Sequence, residues 1–233
     1  YRDGKVTTTR YFEATFKPDE SLTLDKAVDE IEAVFEDSVN AHKISDVEVG
    51  CFLSSGVDSS YVSTYFADQK TFTVGFDFGD HYNEISWAKR LSEKIGVDHH
   101  TKLIGSDEFW GALPKVQYQM DQPLADPSCI ALYFVSKLAS KYVKVVLSGE
   151  GADELFGGYT VYNEPHVFKL YQKIFNQKAR TALANKARKM PHIKGRGFIL
   201  RGERVTEEKF IGNAFLFDDK EKDEILKDTS IVT

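Results

Sequence analysis

The stretch VEVGCFLSSGVDSSYV, residues 47–62, changes character in its middle. Residues 47–53 form an apolar run broken by one acid, with the length and β-branched and aromatic content of a buried strand. The run stops at three small residues, Ser54, Ser55 and Gly56. Asp58, Ser59 and Ser60 follow, and an apolar pattern at helical spacing resumes. Such a junction has two readings. The serines and the aspartate can simply cap the helix, which is common. Alternatively, small residues let main-chain N–H groups turn inward on an anion, the positive end of a helix starting near Val57 adds to that field, and the hydroxyls donate further bonds. The loop has no lysine and the chain has no GxxxxGK[ST] sequence, so this cradle is not of the Walker type. Asp58 would repel a bare phosphate. A bridging cation removes the conflict, because Mg²⁺ is held by one or two carboxylates together with phosphate oxygens.

Outward from this junction the pattern alternates. TFTVGF (71–76), VDHHTKL (97–103) and VKVVLSG (143–149) read as further strands. Residues 57–67, NEISWAKRLSEKIG (83–96, closed by Gly96) and SCIALYFVSKLASKY (128–142) read as helices; 106–120 reads as a helix broken by Pro114. Strands separated by helices of this length predict an α/β fold, a parallel sheet with helices on both faces, followed by a helical extension. Before it, VTTTRYFEATF has the composition of a short strand. Thr23 caps a helix whose buried face is Leu24, Ala27, Val28, Ile31, Phe35 and Val39, with Asp25 in its positive first turn. The expected organisation is a lead-in over 1–22, a nucleotide-binding α/β domain over 23–164 and a helical part over 165–233. Residues 167–190 form one or two helices there and 201–228 two more short ones.

A second polar cluster, SGEGADELFGGY (148–159), also follows a strand. Gly149, Gly151, Gly157 and Gly158 allow close backbone approach, and Glu150, Asp153 and Glu154 put three acids within five residues. A solvated acidic loop is the plain reading. But ligands of an open parallel sheet bind beyond the carboxyl ends of its strands, where both clusters belong. Two acid-bearing loops at one edge suit a metal–nucleotide complex.

These residues also carry a family resemblance. SSGVDSS resembles the pyrophosphate loop, commonly SGGxDS, of the ATP pyrophosphatase (PP-loop) superfamily, with its adenine nucleotide alpha hydrolase-like fold. LSGEGADELFGGY resembles the signature of glutamine-hydrolysing asparagine synthetases of the B type. The first motif is shared by many relatives; the second is long and specific. The likeness covers roughly residues 1–165. It implies an AMP-forming ligase. The side-chain carboxylate of aspartate attacks the α-phosphorus of ATP, pyrophosphate leaves, and ammonia converts β-aspartyl-AMP into asparagine and AMP. It further implies that Ser54, Ser55, Gly56, Asp58 and Ser59 hold pyrophosphate, with Asp58 and Asp153 toward Mg²⁺. Leu53, Val74, Ser148 and Gly149 would line the AMP site. Glu150 would be the base that takes a proton as ammonia attacks. DQPLADPS (121–128) would shape the aspartate pocket. Ser55 departs from the usual glycine, a change tolerated where φ at 55 is negative.

The family also has an N-terminal glutaminase domain, which supplies ammonia from glutamine, and a later lysine-containing segment that meets ATP phosphate. Neither has a match between Tyr1 and Thr233, so the expectation is a middle piece of a longer protein, weak or inactive alone, with a homodimer left open. Two cysteines in 233 residues, Cys51 and Cys129, make no disulfide framework, and with no secretory h-region they place the chain in a reducing cytoplasm. No apolar run approaches the ~20 residues that cross a bilayer. The net charge of −6 hides a basic block: residues 169–204 hold eleven Lys and Arg against one acid, Glu203. This block could face nucleic acid or an acidic neighbouring domain, and without interleaved aromatics in a defined motif the second is favoured. His99 and His100, adjacent on a strand, point to opposite faces and do not chelate one metal. Trp87 and Trp110 read as core or interface aromatics. The alternatives carried beside the synthetase are a β-lactam synthetase-like enzyme, a tRNA-modifying PP-loop enzyme, and a nucleotide-binding module without activity.

Overall fold

A computed structural model describes residues 1–13, 15, 17–79, 83–121, 126, 128–205 and 225. The chain divides into two units, residues 1–48 and 49–233.

In the first unit the hydroxyl of Thr23 accepts the Lys26 N–H at 3.4 Å and opens helix α1, Leu24–His42, with Asp25 in its first turn. Of the apolar face expected on α1, only Val39 is buried; Leu24 and Val28 are more than half exposed. The strand expected in VTTTRYFEATF does not form among the described residues. The pairing present is a bridge between Arg2 and Lys5 around a turn with Asp3 and Gly4 at positive φ. β-Branched composition alone makes no strand where no described strand of the unit lies alongside to pair with it.

The second unit is built on four parallel strands: β1 Val49–Phe52, β2 Lys70–Phe76, β3 Asp98–Ile104 and β4 Val145–Leu147, in the order β3-β2-β1-β4. Cys51 lies opposite Thr71 on one side and Leu147 on the other. The β2–β3 ladder is longer, from Lys70 with Asp98 to Phe76 with Ile104. Between them run α2 Val57–Ser63, α3 Ile85–Ile95, α4 Ser106–Gln119 and α5 Ser128–Ala139. Gly96 takes the left-handed conformation that ends α3.

Successive residues of β2 point to opposite faces of the sheet, and both faces are covered. Phe72 joins Val135, Leu138, Ala139 and Val143, with Phe52, Val74 and Val146 against them. Ile104, Val116, Cys129, Ile130 and Phe134 make the adjoining layer with Phe76 and Phe109. Phe72 and Phe134 are at most 2% exposed, and each contributes about 2–3 kcal/mol by burial. On the opposite face a β-carbon at Gly75 would lie 2.5 Å from Asn83 Oδ1 and 2.9 Å from Ile85 Cδ1, so the start of α3 rests directly on β2.

Pro114 does not break α4, which runs through it. Phe109, Ala112, Leu113 and Val116, on both sides of the proline, are held in the layer with α5. That packing outweighs the lost backbone bond, worth about 3 kcal/mol at an unsupported site. β4 is shorter than expected: the Val143 N–H bonds back to the Ala139 carbonyl at 2.9 Å, at the end of α5, instead of joining the ladder. Trp87 and Trp110 are 61% and 62% exposed, so neither is a core residue. Trp87 lies under the Arg90 guanidinium at 4.0 Å.

After β4 come α6 Ala152–Phe156, a 3-10 turn Thr160–Asn163, α7 Glu164–Ile174, α8 Gln177–Arg188 and α9 Arg196–Arg201. The basic helices expected at 167–190 are α7 and α8. Part of the basic charge of this region is used internally: Arg188 of α8 pairs with Glu203 at 2.7 Å, and Arg201 of α9 pairs with the buried Glu164. Gln172 adds a bond to the Arg204 carbonyl at 3.1 Å. Of the two further helices expected in 201–228, residues 206–224 and 226–228 lie outside the described residues.

Candidate active site

The order β3-β2-β1-β4 reverses at β1: the chain leaves β1 toward β2 and β3, then returns to add β4 on the other side. A crevice opens at such a switch point, beyond the carboxyl ends of β1 and β4. Cys51 is level with Leu147. Loop 53–56 and loop 148–151 therefore emerge side by side.

They touch through Gly149. A β-carbon there would lie 2.7 Å from the Ser59 nitrogen and 2.8 Å from the Asp58 carbonyl carbon. These neighbours are main chain and cannot swing aside, so the contact requires glycine.

The first loop is cross-linked by its own hydroxyls. Ser54 Oγ and Ser59 Oγ are 2.6 Å apart, the Ser54 N–H donates to Ser59 Oγ at 3.1 Å, and the Gly56 N–H donates to Ser54 Oγ at 3.1 Å. Ser60 Oγ donates to the Gly56 carbonyl at 2.6 Å. Asp58 sits in the first turn of α2, which Gly56 opens without a side-chain cap. The capping reading of the serines thus does not hold for the N-cap position; the hydroxyls tie the loop together instead. Among the described residues the non-glycine positions with positive φ are Asp3, Asp68 and Asp121, so Ser55 meets the condition under which serine is tolerated.

In the second loop the Glu150 N–H donates to Ser148 Oγ at 3.2 Å, and Gly151 takes a left-handed φ of 93° to start α6. Glu150 is exposed and Asp153 half-buried. The Asp153 carboxylate lies against Gly158, and the Gly158 N–H donates to the Asp153 carbonyl at 2.9 Å. Tyr159 donates to Glu154 Oε1 at 2.9 Å. That bond, with desolvation and the charges of Glu154, Asp153 and Glu150, pushes the phenol up to about 12. Glu150, Asp153 and Glu154 thus place three acids within five residues of this segment.

Leu53 is 2% exposed, its N–H bonded to the Phe72 carbonyl at 2.9 Å and its carbonyl accepting from the Thr73 hydroxyl. Val74 lies past the last β1–β2 pair, with its side chain against both core layers. The structure thus brings Ser54, Ser55, Gly56, Asp58 and Ser59 together with Ser148 and Gly149. Glu150 and Asp153 continue the same loop. Of DQPLADPS, residues 122–125 and 127 lie outside the described residues. Asp126 accepts the Ser128 N–H at 2.9 Å, and that backbone bond holds its carboxyl below its ordinary range.

Two participants were missed in the sequence. The Thr73 hydroxyl fixes the carbonyl at the end of β1, and Glu84 reaches the loop itself: its Oε2 accepts the Ser55 N–H at 3.1 Å. The signal for Glu84 was its place just after β2, at the same sheet edge as both loops.

No group of three or more His, Cys, Asp and Glu positioned for a metal occurs among the described residues. The donor set fits instead an ion carried in with phosphate, for which one or two carboxylates suffice. Asp58 stands in the first turn of α2 and Asp153 in the first turn of α6, the helices that follow the two touching loops.

Residues 30–214 match the family model described as "Asparagine synthase". The chain is 41% identical over 230 residues to "Asparagine synthetase [glutamine-hydrolyzing] 1" of Bacillus subtilis, covering 97% of this chain and 36% of that protein. It is 40% identical over 226 residues to "Putative asparagine synthetase [glutamine-hydrolyzing]" of Mycobacterium tuberculosis, covering 94% and 34%. Similarity to "Asparagine synthetase [glutamine-hydrolyzing]" of Cricetulus griseus is 26% over 159 residues, covering 62% and 28%. The chain spans about a third of the length of these relatives.

Proposed function

Because the chain belongs to the asparagine synthase family, we propose that it carries the site at which aspartate is activated with ATP and amidated to asparagine. The observation that carries this reading is the contact of Gly149 with the main chain of Asp58 and Ser59, which sets the two loops against each other at the switch point.

In this reading the 54–59 loop holds the β- and γ-phosphates, while Leu53, Val74, Ser148 and Gly149 border the AMP portion. The aspartate carboxylate attacks the α-phosphorus, pyrophosphate leaves, and β-aspartyl-AMP remains. Ammonia attacks the acyl carbon, and Glu150 takes the proton it sheds; AMP and asparagine are released. No nucleophilic side chain is needed, so the residues act by positioning and by charge. Asp58 and Asp153 are the residues that would hold Mg²⁺, whose charge would offset that of the departing pyrophosphate. We assign the nucleotide part to residues 23–164 and a second part to the residues from 165 onward, helical in α7, α8 and α9.

We assign the ammonia supply to glutamine hydrolysis in a separate glutaminase domain, as the names of the relatives suggest for those proteins. No helix among the described residues is long and apolar enough to cross a membrane. Cys51 and Cys129 are free buried thiols, which supports placement in the reducing cytoplasm.

The test is pyrophosphate release by the full-length protein from ATP and Mg²⁺ with ammonia as amide donor, measured with and without aspartate. Release that depends on aspartate and matches asparagine formed supports the reading. Release without aspartate, or none, rejects it.

A further inference from the structure

Of the N–H groups of Ser54, Ser55 and Gly56, that of Ser55 bonds beyond the 54–59 segment, and its acceptor is a carboxylate, Glu84, 29 residues away. The Ser54 and Gly56 N–H groups bond to hydroxyls of the loop itself. A carboxylate oxygen on a main-chain N–H occupies the place that a phosphate oxygen would take.

We propose that Glu84 is a built-in competitor for the phosphate loop. Without nucleotide its carboxylate holds the Ser55 amide, and an entering pyrophosphate group must displace it. The proposal rests on the reading of residues 54–59 as a phosphate site.

Two features of the fold single Glu84 out. It stands at the N-cap position of α3, where an acid ordinarily serves its own helix, yet its side chain makes no cap bond. Asn83 does that work, its Oδ1 accepting the Ile85 N–H at 3.2 Å. The Glu84 carboxylate is thus left for the loop. Its position is also fixed, because both of its neighbours rest on β2. A β-carbon at Gly75 would meet Asn83 Oδ1 at 2.5 Å and Ile85 Cδ1 at 2.9 Å. The strand end itself therefore aims residue 84 across the sheet edge at Ser55.

The competition follows from charge and count. One N–H cannot bond fully to two anions, and a carboxylate that stays beside pyrophosphate repels it. Glu84 is half-buried, so its carboxylate regains water when it swings away, which keeps the exchange reversible. When pyrophosphate leaves, Glu84 returns to the amide. The residue weakens product binding and assists product release. It is a positioning residue and takes no part in bond making.

The test is binding of inorganic pyrophosphate with Mg²⁺ to the full chain by calorimetry, for the unaltered protein, Glu84→Gln and Glu84→Ala. Glutamine keeps the shape and an acceptor but loses the charge. Both variants should bind about five- to tenfold more tightly, a modest factor because the carboxylate is free to move into water. The gain should shrink as salt rises. Circular dichroism should show α3 intact, since its cap is Asn83. Equal or weaker binding by Glu84→Gln overturns the proposal and leaves the phosphate-loop reading standing. No pyrophosphate binding by any of the three proteins overturns both.

Discussion

Gly149 lies on the main chain of Ser59, so close that a β-carbon would stand 2.7 Å from the Ser59 nitrogen. Two loops separated by about ninety residues of sequence are locked together by the absence of one methyl group. Gly149→Ala should cost about 1–3 kcal/mol in urea unfolding, because main chain must move to admit it. It should also abolish pyrophosphate binding by spreading the loops. Gly151, with φ of 93° and nothing within 4 Å of its missing β-carbon, is the control. Gly151→Ala should cost about 1 kcal/mol through backbone strain alone and keep pyrophosphate binding. Equal binding loss in both variants would remove the loop contact from the account.

Asp58 and Asp153 are assigned to one Mg²⁺. Asp58→Asn and Asp153→Asn should each raise the Mg²⁺ concentration needed for half-maximal pyrophosphate release, by roughly tenfold or more for a lost charged ligand. Excess Mg²⁺ should restore part of the rate. A variant whose Mg²⁺ dependence is unchanged at a reduced rate would place that carboxylate elsewhere in the chemistry.

Glu150 is assigned to the second half of the reaction only. Glu150→Gln should retain aspartate-dependent exchange of pyrophosphate into ATP and lose asparagine formation by about 10²-fold, the lower range for a general base. An undiminished rate of asparagine formation removes Glu150 as the base.

Much of this was legible because the relevant signals are local. The strand ends at 52 and 147, the glycine that closes α3 and the two polar loops each follow from a few neighbouring residues. The miss at Glu84 has a physical cause. Its contact with Ser55 spans 29 residues and depends on Gly75 admitting the start of α3 against β2, which no pattern within 83–96 encodes. Pro114 misled for a related reason: tertiary packing on both sides of it overrides a local penalty. The serines of the loop were expected to face a ligand. In the folded chain they bond to one another, a result of loop closure that composition cannot specify.

The core also carries a pH signature. Burial holds the His99 imidazole below its ordinary pKa of 6.5, with His100 pushing the same way and Asp98 opposing. Its Nδ1 lies 2.9 Å from the Thr71 hydroxyl, and its Nε2 is buried without a hydrogen-bond partner. The unfolded chain therefore takes up the proton more readily. Stability present above pH 6.5 is lost as pH falls through the depressed folded value. Urea midpoints should drop between about pH 7.5 and about pH 5, and His99→Gln should flatten that drop. An unchanged slope in the variant would assign acid sensitivity to other groups.

In the proposed function the two touching loops activate aspartate as an acyl adenylate. Isotope exchange between labelled pyrophosphate and ATP, with Mg²⁺ and no ammonia, reads that step alone. Exchange should appear on adding aspartate and disappear in Gly149→Ala. Exchange that proceeds without aspartate, or none in its presence, would contradict that function.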